Sequence, residues 1–327
     1  MTRERSSVFT KSQISELANR VLASKPNEIV KFRILRDGLR LSAESREISA
    51  LKLQLAQLHW VKELAQEQQS DGSWGRFHSA DAKNKKKFPS SEIAIRRALA
   101  LGLERDNPIL ARAIKYMQAV LDGKVTWLDR VEKAEGWPIC VEAISAGTLA
   151  QVDPFHPAID KAWEYWAEIA QRSFSTGQYD QQSEVRAHRE TRGLKIVYLR
   201  SRYVLTLLGS RSKQLSIQLE RHIGNWIWNN PDGIGYLGAD LKKPIPYHIN
   251  QWLDSLEILS NFQCWREYAG EAMEWLWEQR RPDGFWDFGT RVSQTFYFPL
   301  SDNWRKPKYR QADYSTRALI LLRKYVD

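Results

Sequence analysis

The chain has 327 residues, 43% of them hydrophobic and fourteen of them tryptophan, enough to bury a large core. Its formal net charge of +10 fits either anionic partners or a solvated basic surface. Two distant cysteines, Cys140 and Cys264, exclude a disulfide framework. The opening MTRERSSVFTKSQ lacks the apolar core of a signal peptide and no apolar run reaches membrane-spanning length, so the cytoplasm is the expected compartment.

In chain order, a first helix is expected over 11–23. Thereafter the pattern alternates. Segments near 30–42, 91–103, 138–152, 191–208, 248–261 and 312–325 are rich in small and apolar residues on more than one side, as burial between neighbours requires. Segments near 47–69, 107–122, 157–173, 213–229 and 265–281 carry a single apolar stripe. In 47–69 apolar positions recur at Leu51, Leu53, Leu55, Leu58, Val61 and Leu64. Ser90 and Ser91 stand where a helix start is expected. Strand signals are almost absent; TFYF at 295–298 is too short to count. DAKNKKKFP and VSQTFYFPLSDNWRKPKYRQ read as loops. No composition shift marks a boundary, so residues 1–327 are expected to form a single domain.

The turns between these helices repeat. QQSDGSWG at 68–75 and QRRPDGFW at 279–286 share a glutamine, an Asp-Gly pair and a tryptophan. NNPDGIGYLG holds a third Asp-Gly, at Asp232-Gly233, with Tyr236 as candidate for the aromatic place. AEGWP at 134–138 and FSTGQYD at 174–180 are weaker copies. A period near 50 residues marks a repeated supersecondary unit. Gln69, Trp74, Gln279 and Trp286 are expected to act as struts: the amide satisfies backbone groups at helix ends, and the indole fills a gap while donating its N–H. Six helix pairs would close an all-α toroid, an α/α six-hairpin barrel.

These repeats resemble those of terpenoid cyclases and protein prenyltransferases. The stretch EQQSDGSWGRFHS is similar to bacterial proteins described only by the prenyltransferase and squalene oxidase repeat. The resemblance implies an α/α toroid that binds an isoprenoid or other apolar ligand, or a diphosphate, in a central cavity. The family's chemistry is not written in its usual form. The Asp-x-Asp-Asp motif that starts polyene cyclisation is absent, and neither cysteine has an aspartate at the spacing of the prenyltransferase zinc site. No metal and no cofactor is expected.

In toroids of this kind, functional groups come from the loops before inner helices and from the first turns of those helices. That rule picks Glu92, Asp254 and Asp313 as candidate catalytic carboxylates. It picks His78, Asp81, Glu142, His188, Arg192, His248, Trp252 and Tyr314 as candidate ligand contacts. Tyr198, Tyr203 and Phe296 are further aromatic candidates. Arg96, Arg97, Arg202 and Arg317 lie deeper on the inner helices. A buried charge is costly unless paired, so the same carboxylates read equally as ion-pair partners of those arginines. The KNKKK run at 83–87 fits a diphosphate, a nucleic-acid backbone, an acidic membrane face or a solvated loop, and no nucleic-acid module is recognisable. Two other functions stay open: a non-catalytic toroid that binds a protein or other ligand, and a carbohydrate-active α/α barrel built on paired carboxylates.

Overall fold

The computed structural model describes residues 8–79, 86–127, 129, 136–291 and 299–327. Within them the chain is all-α, with fourteen α-helices and no β-strand; one isolated bridge joins Ser201 and Gly235. The helices are α1 (Lys11–Ala23), α2 (Glu28–Arg33), α3 (Arg46–Leu55), α4 (His59–Glu67), α5 (Ser91–Ala100), α6 (Pro108–Leu121) and α7 (Trp137–Val152). They continue with α8 (Asp160–Ser173), α9 (Gln181–Arg192), α10 (Arg202–Ser210), α11 (Ile217–Trp228), α12 (Ile249–Leu259), α13 (Arg266–Glu278) and α14 (Pro307–Val326). No described helix is long and apolar enough to cross a membrane.

The chain divides into two compact units that interleave in sequence. The first comprises Met1–Leu58, Ala239–Ser260 and Trp265–Asp327; the second comprises His59–Gly238 and Asn261–Cys264. In the first, α1 and α13 pack on α14, and the indoles of Trp252 and Trp286 are fully buried. In the second, α7 lies between α6 and α10. Gly147 explains the closeness of α7 and α10: a Cβ there would sit 2.6 Å from the Tyr203 carbonyl oxygen.

The two helix types are real. The striped helices bury one face each: Ala269, Ala272, Met273, Leu276 and Trp277 on α13 follow the 3.6-residue period. By contrast, α7 is buried continuously from Ala143 to Ala150, and α12 from Ile249 to Leu256.

Three expected helices differ in extent. The 47–69 segment is two helices, α3 and α4, separated by a tight turn in which Leu58 donates to the Leu55 carbonyl. The spacing explains it. Leu55, Leu58, Val61 and Leu64 recur every three residues, which drifts off an α-helical face and is taken up by one three-residue turn. The 30–42 segment is α2 followed by a π-type turn over Ile34–Gly38. The 191–208 segment is not one helix. Helix α9 ends at Gly193, which is left-handed with φ 74°, and α10 begins only after the Ser201 cap.

The turn motif recurs in detail. Trp74 Nε1 donates to the Leu64 carbonyl at 2.9 Å, and Trp286 Nε1 to the Leu276 carbonyl at 2.6 Å, ten residues back in both cases. Their backbone amides donate to the hydroxyls of Ser91 and Ser315. Gly72, Gly123, Gly177, Gly233 and Gly284 are all left-handed, and each donates to the carbonyl three residues earlier. Their successive spacings are 51, 54, 56 and 51 residues. Lys25 closes α1 with the same bond at φ 52°. At Gly72 only glycine fits, because a Cβ would lie 2.3 Å from the Arg112 carbonyl oxygen.

The recurrence corrects three sequence expectations. The copy between Gly72 and Gly177 is Asp122-Gly123, not AEGWP; Gly136 has φ −83° and caps α7. The bridging glutamine is Gln68, whose Nε2 donates to the carbonyls of Gly72 and Ile109, both at 2.9 Å. Gln279 reaches only its own helix, at Trp275. Tyr236 does not fill the tryptophan place: it is 63% exposed.

Candidate functional site

Glu92 stands in the first turn of α5, which Ser90 caps by accepting the Ile93 amide. Its backbone amide donates to the Phe77 carbonyl, which ties α5 to the loop after Trp74. That loop carries His78. Asp129 fixes it: the buried Asp129 carboxylate accepts the consecutive backbone amides of Phe77, His78 and Ser79, and the Ser79 hydroxyl. His78 therefore meets Glu92 from a pinned backbone, with Nδ1 2.7 Å from Oε2.

The third member comes from α10. The Tyr203 hydroxyl lies 2.9 and 3.0 Å from the two Glu92 carboxylate oxygens, and its ring stands edge-on to His78 at 5.8 Å. Glu92 and Tyr203 are buried, while the His78 side chain is 36% exposed. Burial by itself would push the Glu92 carboxyl up. The His78 hydrogen bond, with the charges of Arg202, His78 and Arg96, outweighs burial and holds it below the ordinary glutamate value. Burial and the Glu92 charge push the Tyr203 phenol up. Glu92 is thus a carboxylate that only accepts, so Nδ1 of His78 and the Tyr203 hydroxyl are donors; in the neutral form of His78 the lone pair then sits on Nε2.

Two further tyrosines extend this group. Tyr236 lies 6.3 Å from the Tyr203 ring and 6.0 Å from that of Tyr198. Burial raises the Tyr198 phenol, helped by its neighbours Tyr236 and Cys140. Tyr198 is placed by Glu184, which accepts the amides of Tyr198 and Leu199 at 2.6 and 2.8 Å.

Three other expected contacts meet in the same unit. Arg192 pairs with Glu142 at 3.0 Å, and its guanidinium lies 3.8 Å over the Tyr165 ring. The Tyr165 hydroxyl meets His188 Nδ1 at 2.5 Å. His188 is fully buried, with Nε2 3.5 Å from Glu184, a charge contact without hydrogen-bond geometry. Burial pushes the Tyr165 phenol up to about 12. With neither His188 nor Glu184 exposed, this cluster reads as support for α8 and α9 rather than as a reacting centre.

The remaining candidates lie in the first unit and serve structure. Asp254 pairs with Arg317, which also holds Glu257 at 2.6 Å. Asp313 is fully buried and accepts the Leu300 amide and the Ser301 hydroxyl, anchoring that segment to α14. Trp252 and Tyr314 are core side chains. The Trp252 indole donates to Leu241 and stands edge-on to Trp275; the Tyr314 ring lies between Phe288 and Trp304. His248 is half-buried beside Tyr247 in the turn before α12. Asp81, Phe296 and residues 83–85 of the basic run lie outside the described residues.

Asp129 was not among the candidates; its partners are loop amides some fifty residues away, which no local pattern reveals. Among the described residues, no three of His, Cys, Asp and Glu converge as metal ligands. No protein-family model matches this chain, and neither a curated protein nor a solved structure matches it.

Proposed function

We propose that the chain is an α/α toroid of the terpenoid cyclase and prenyltransferase kind that binds an isoprenoid or other apolar ligand. In this reading Glu92, His78 and Tyr203 form its proton-transfer centre. The toroid reading is supported by one left-handed turn recurring after successive striped helices at a period near 50 residues. The catalytic reading rests on one observation: the partners of the buried Glu92 carboxylate are an imidazole and a phenol, both able to exchange protons. Asp129 and Asp313 instead accept backbone amides and a serine hydroxyl; Glu184 accepts two backbone amides and the Tyr179 hydroxyl, and its contact with His188 lacks hydrogen-bond geometry.

The charge state of Glu92 selects a base over an acid. Starting a polyene cyclisation takes a carboxyl kept protonated by its surroundings, whereas Glu92 is held ionised. A carboxylate behind Nδ1 raises the basicity of Nε2 and stabilises the imidazolium that forms. The chemistry this suits is removal of a proton from carbon beside a cationic centre: the C–H pair becomes the new C=C bond and the proton stays on Nε2. The sugar-active alternative finds less support, since none of the fourteen tryptophans is exposed for stacking on a sugar face.

The test is incubation with farnesyl and geranylgeranyl diphosphate, with products followed by gas chromatography and mass spectrometry. His78→Gln and Glu92→Gln should each lower turnover by roughly 100-fold while leaving the dissociation constant within a few-fold. Wild-type protein that binds neither compound would overturn the isoprenoid reading. Binding without conversion would turn it into that of a non-catalytic binding toroid.

A further inference from the structure

The copy of the turn motif at Asp232-Gly233 is degenerate in an informative way. Aligned on the left-handed glycine, Asp71-Gly72-Ser73-Trp74 corresponds to Asp232-Gly233-Ile234-Gly235. The tryptophan that is buried in the copies at Gly72 and Gly284 is replaced here by Gly235, whose amide donates to the Arg200 carbonyl beside Ser201, the cap of α10. A Cβ on Gly235 would approach that carbonyl oxygen to 3.1 Å. The aromatic residue has moved one position on, to Tyr236, and has left the core: it is 63% exposed.

Tyr236 is also strained. Its φ is 70°, a left-handed conformation that a bulky L-residue adopts at a cost and that glycine adopts freely. Gly238, two residues on, is left-handed as well, so a glycine at 236 would fit the local pattern of this loop. Strain kept on an exposed side chain is typical of functional positions. The ring's neighbours are Tyr198 and Tyr203, and Tyr203 holds Glu92.

We propose that Tyr236 is the ligand-contacting ring of the Glu92–His78–Tyr203 site, held out in a strained turn to meet an apolar, unsaturated part of the ligand and so to set which ligands are accepted. This copy of the repeat has exchanged a strut for a contact: the turn that at Trp74 and Trp286 buries an indole here presents a phenol to solvent beside Tyr203, the phenol that holds Glu92. The inference rests on that site being the working one, but not on the ligand being an isoprenoid.

Tyr236→Gly, Tyr236→Ala and Tyr236→Phe in the full chain test it, by thermal melting and by farnesyl diphosphate binding measured calorimetrically. The glycine variant should melt no lower than wild type and about 2 °C above the alanine variant, since only glycine relieves the left-handed strain. Affinity should fall roughly tenfold in the glycine and alanine variants and stay within about threefold in the phenylalanine variant. A glycine variant melting well below wild type would make the ring a packing residue and overturn the proposal; so would a glycine variant that binds as wild type does. Failure of wild type itself to bind farnesyl diphosphate counts against the isoprenoid reading alone. The melting comparison then decides Tyr236: melting as expected keeps the strained ring available to a ligand, and a large drop makes it a packing residue and overturns the proposal.

Discussion

Glu92 in the second unit and Asp254 in the first are both buried helix carboxylates, one in the first turn of α5 and the other midway along α12, yet their partners differ in kind. Asp254 faces Arg317, a guanidinium that stays charged at any working pH. Glu92 faces His78 and Tyr203, which can give up or take on a proton. A permanent partner makes a fixed joint, whereas a titratable partner makes a group whose proton can move. The distinction sorts the candidate carboxylates better than burial, which is nearly the same for both.

Substitutions probe the contrast from its strong side to its weak side. Asp254→Ala removes one of the carboxylates that hold the buried Arg317 guanidinium and should cost about 2–3 kcal/mol in chemical denaturation. Asp37 shows what a fixed joint does with pH. Its half-buried carboxyl pairs with Arg33 and Arg36; burial opposes ionisation, but the two guanidinium groups win and bring it down to about 2, from 3.8. A depressed folded value stabilises above the unfolded one and loses that contribution as pH falls. Asp37→Asn should therefore cost about 2 kcal/mol at neutral pH, with the difference from wild type closing as pH falls through about 4 to 2. The smallest effect is expected at Glu92→Gln, which keeps an acceptor for His78 and Tyr203 and should cost about 1 kcal/mol or less. A stability loss there equal to that of Asp254→Ala would erase the distinction.

Much of the architecture is legible in the sequence because it is local. The alternation of striped and fully buried helices follows from apolar period, and the turn motif from Asp-Gly pairs whose glycines adopt positive φ. Helix α9 escaped for a physical reason. QQSEVRAHRETR offers almost no apolar stripe; the helix stands on the Asp180 cap, the Gly193 stop and the burial of Glu184 and His188. Pairing, not hydrophobicity, lets those two side chains be buried, and periodicity does not register pairing. The site divides the same way. His78 and Glu92 follow from their place beside a helix start, and Tyr203 is visible only as an aromatic on an inner segment. Asp129 acts by gathering distant amides, a role with no sequence signature.

The interleaving of the two units sets an order of assembly. Helix α1 packs on α14, and both belong to the unit that also takes in residues 239–260. During synthesis every residue of the second unit emerges before α14 does. The His78–Glu92–Tyr203 half of the protein can therefore collapse on the ribosome while α1 still has no groove to lie in. Loss of α14 by truncation would take away the helix on which α1 packs and the Tyr325 ring beside Phe9, so damage late in the chain would be felt at its start.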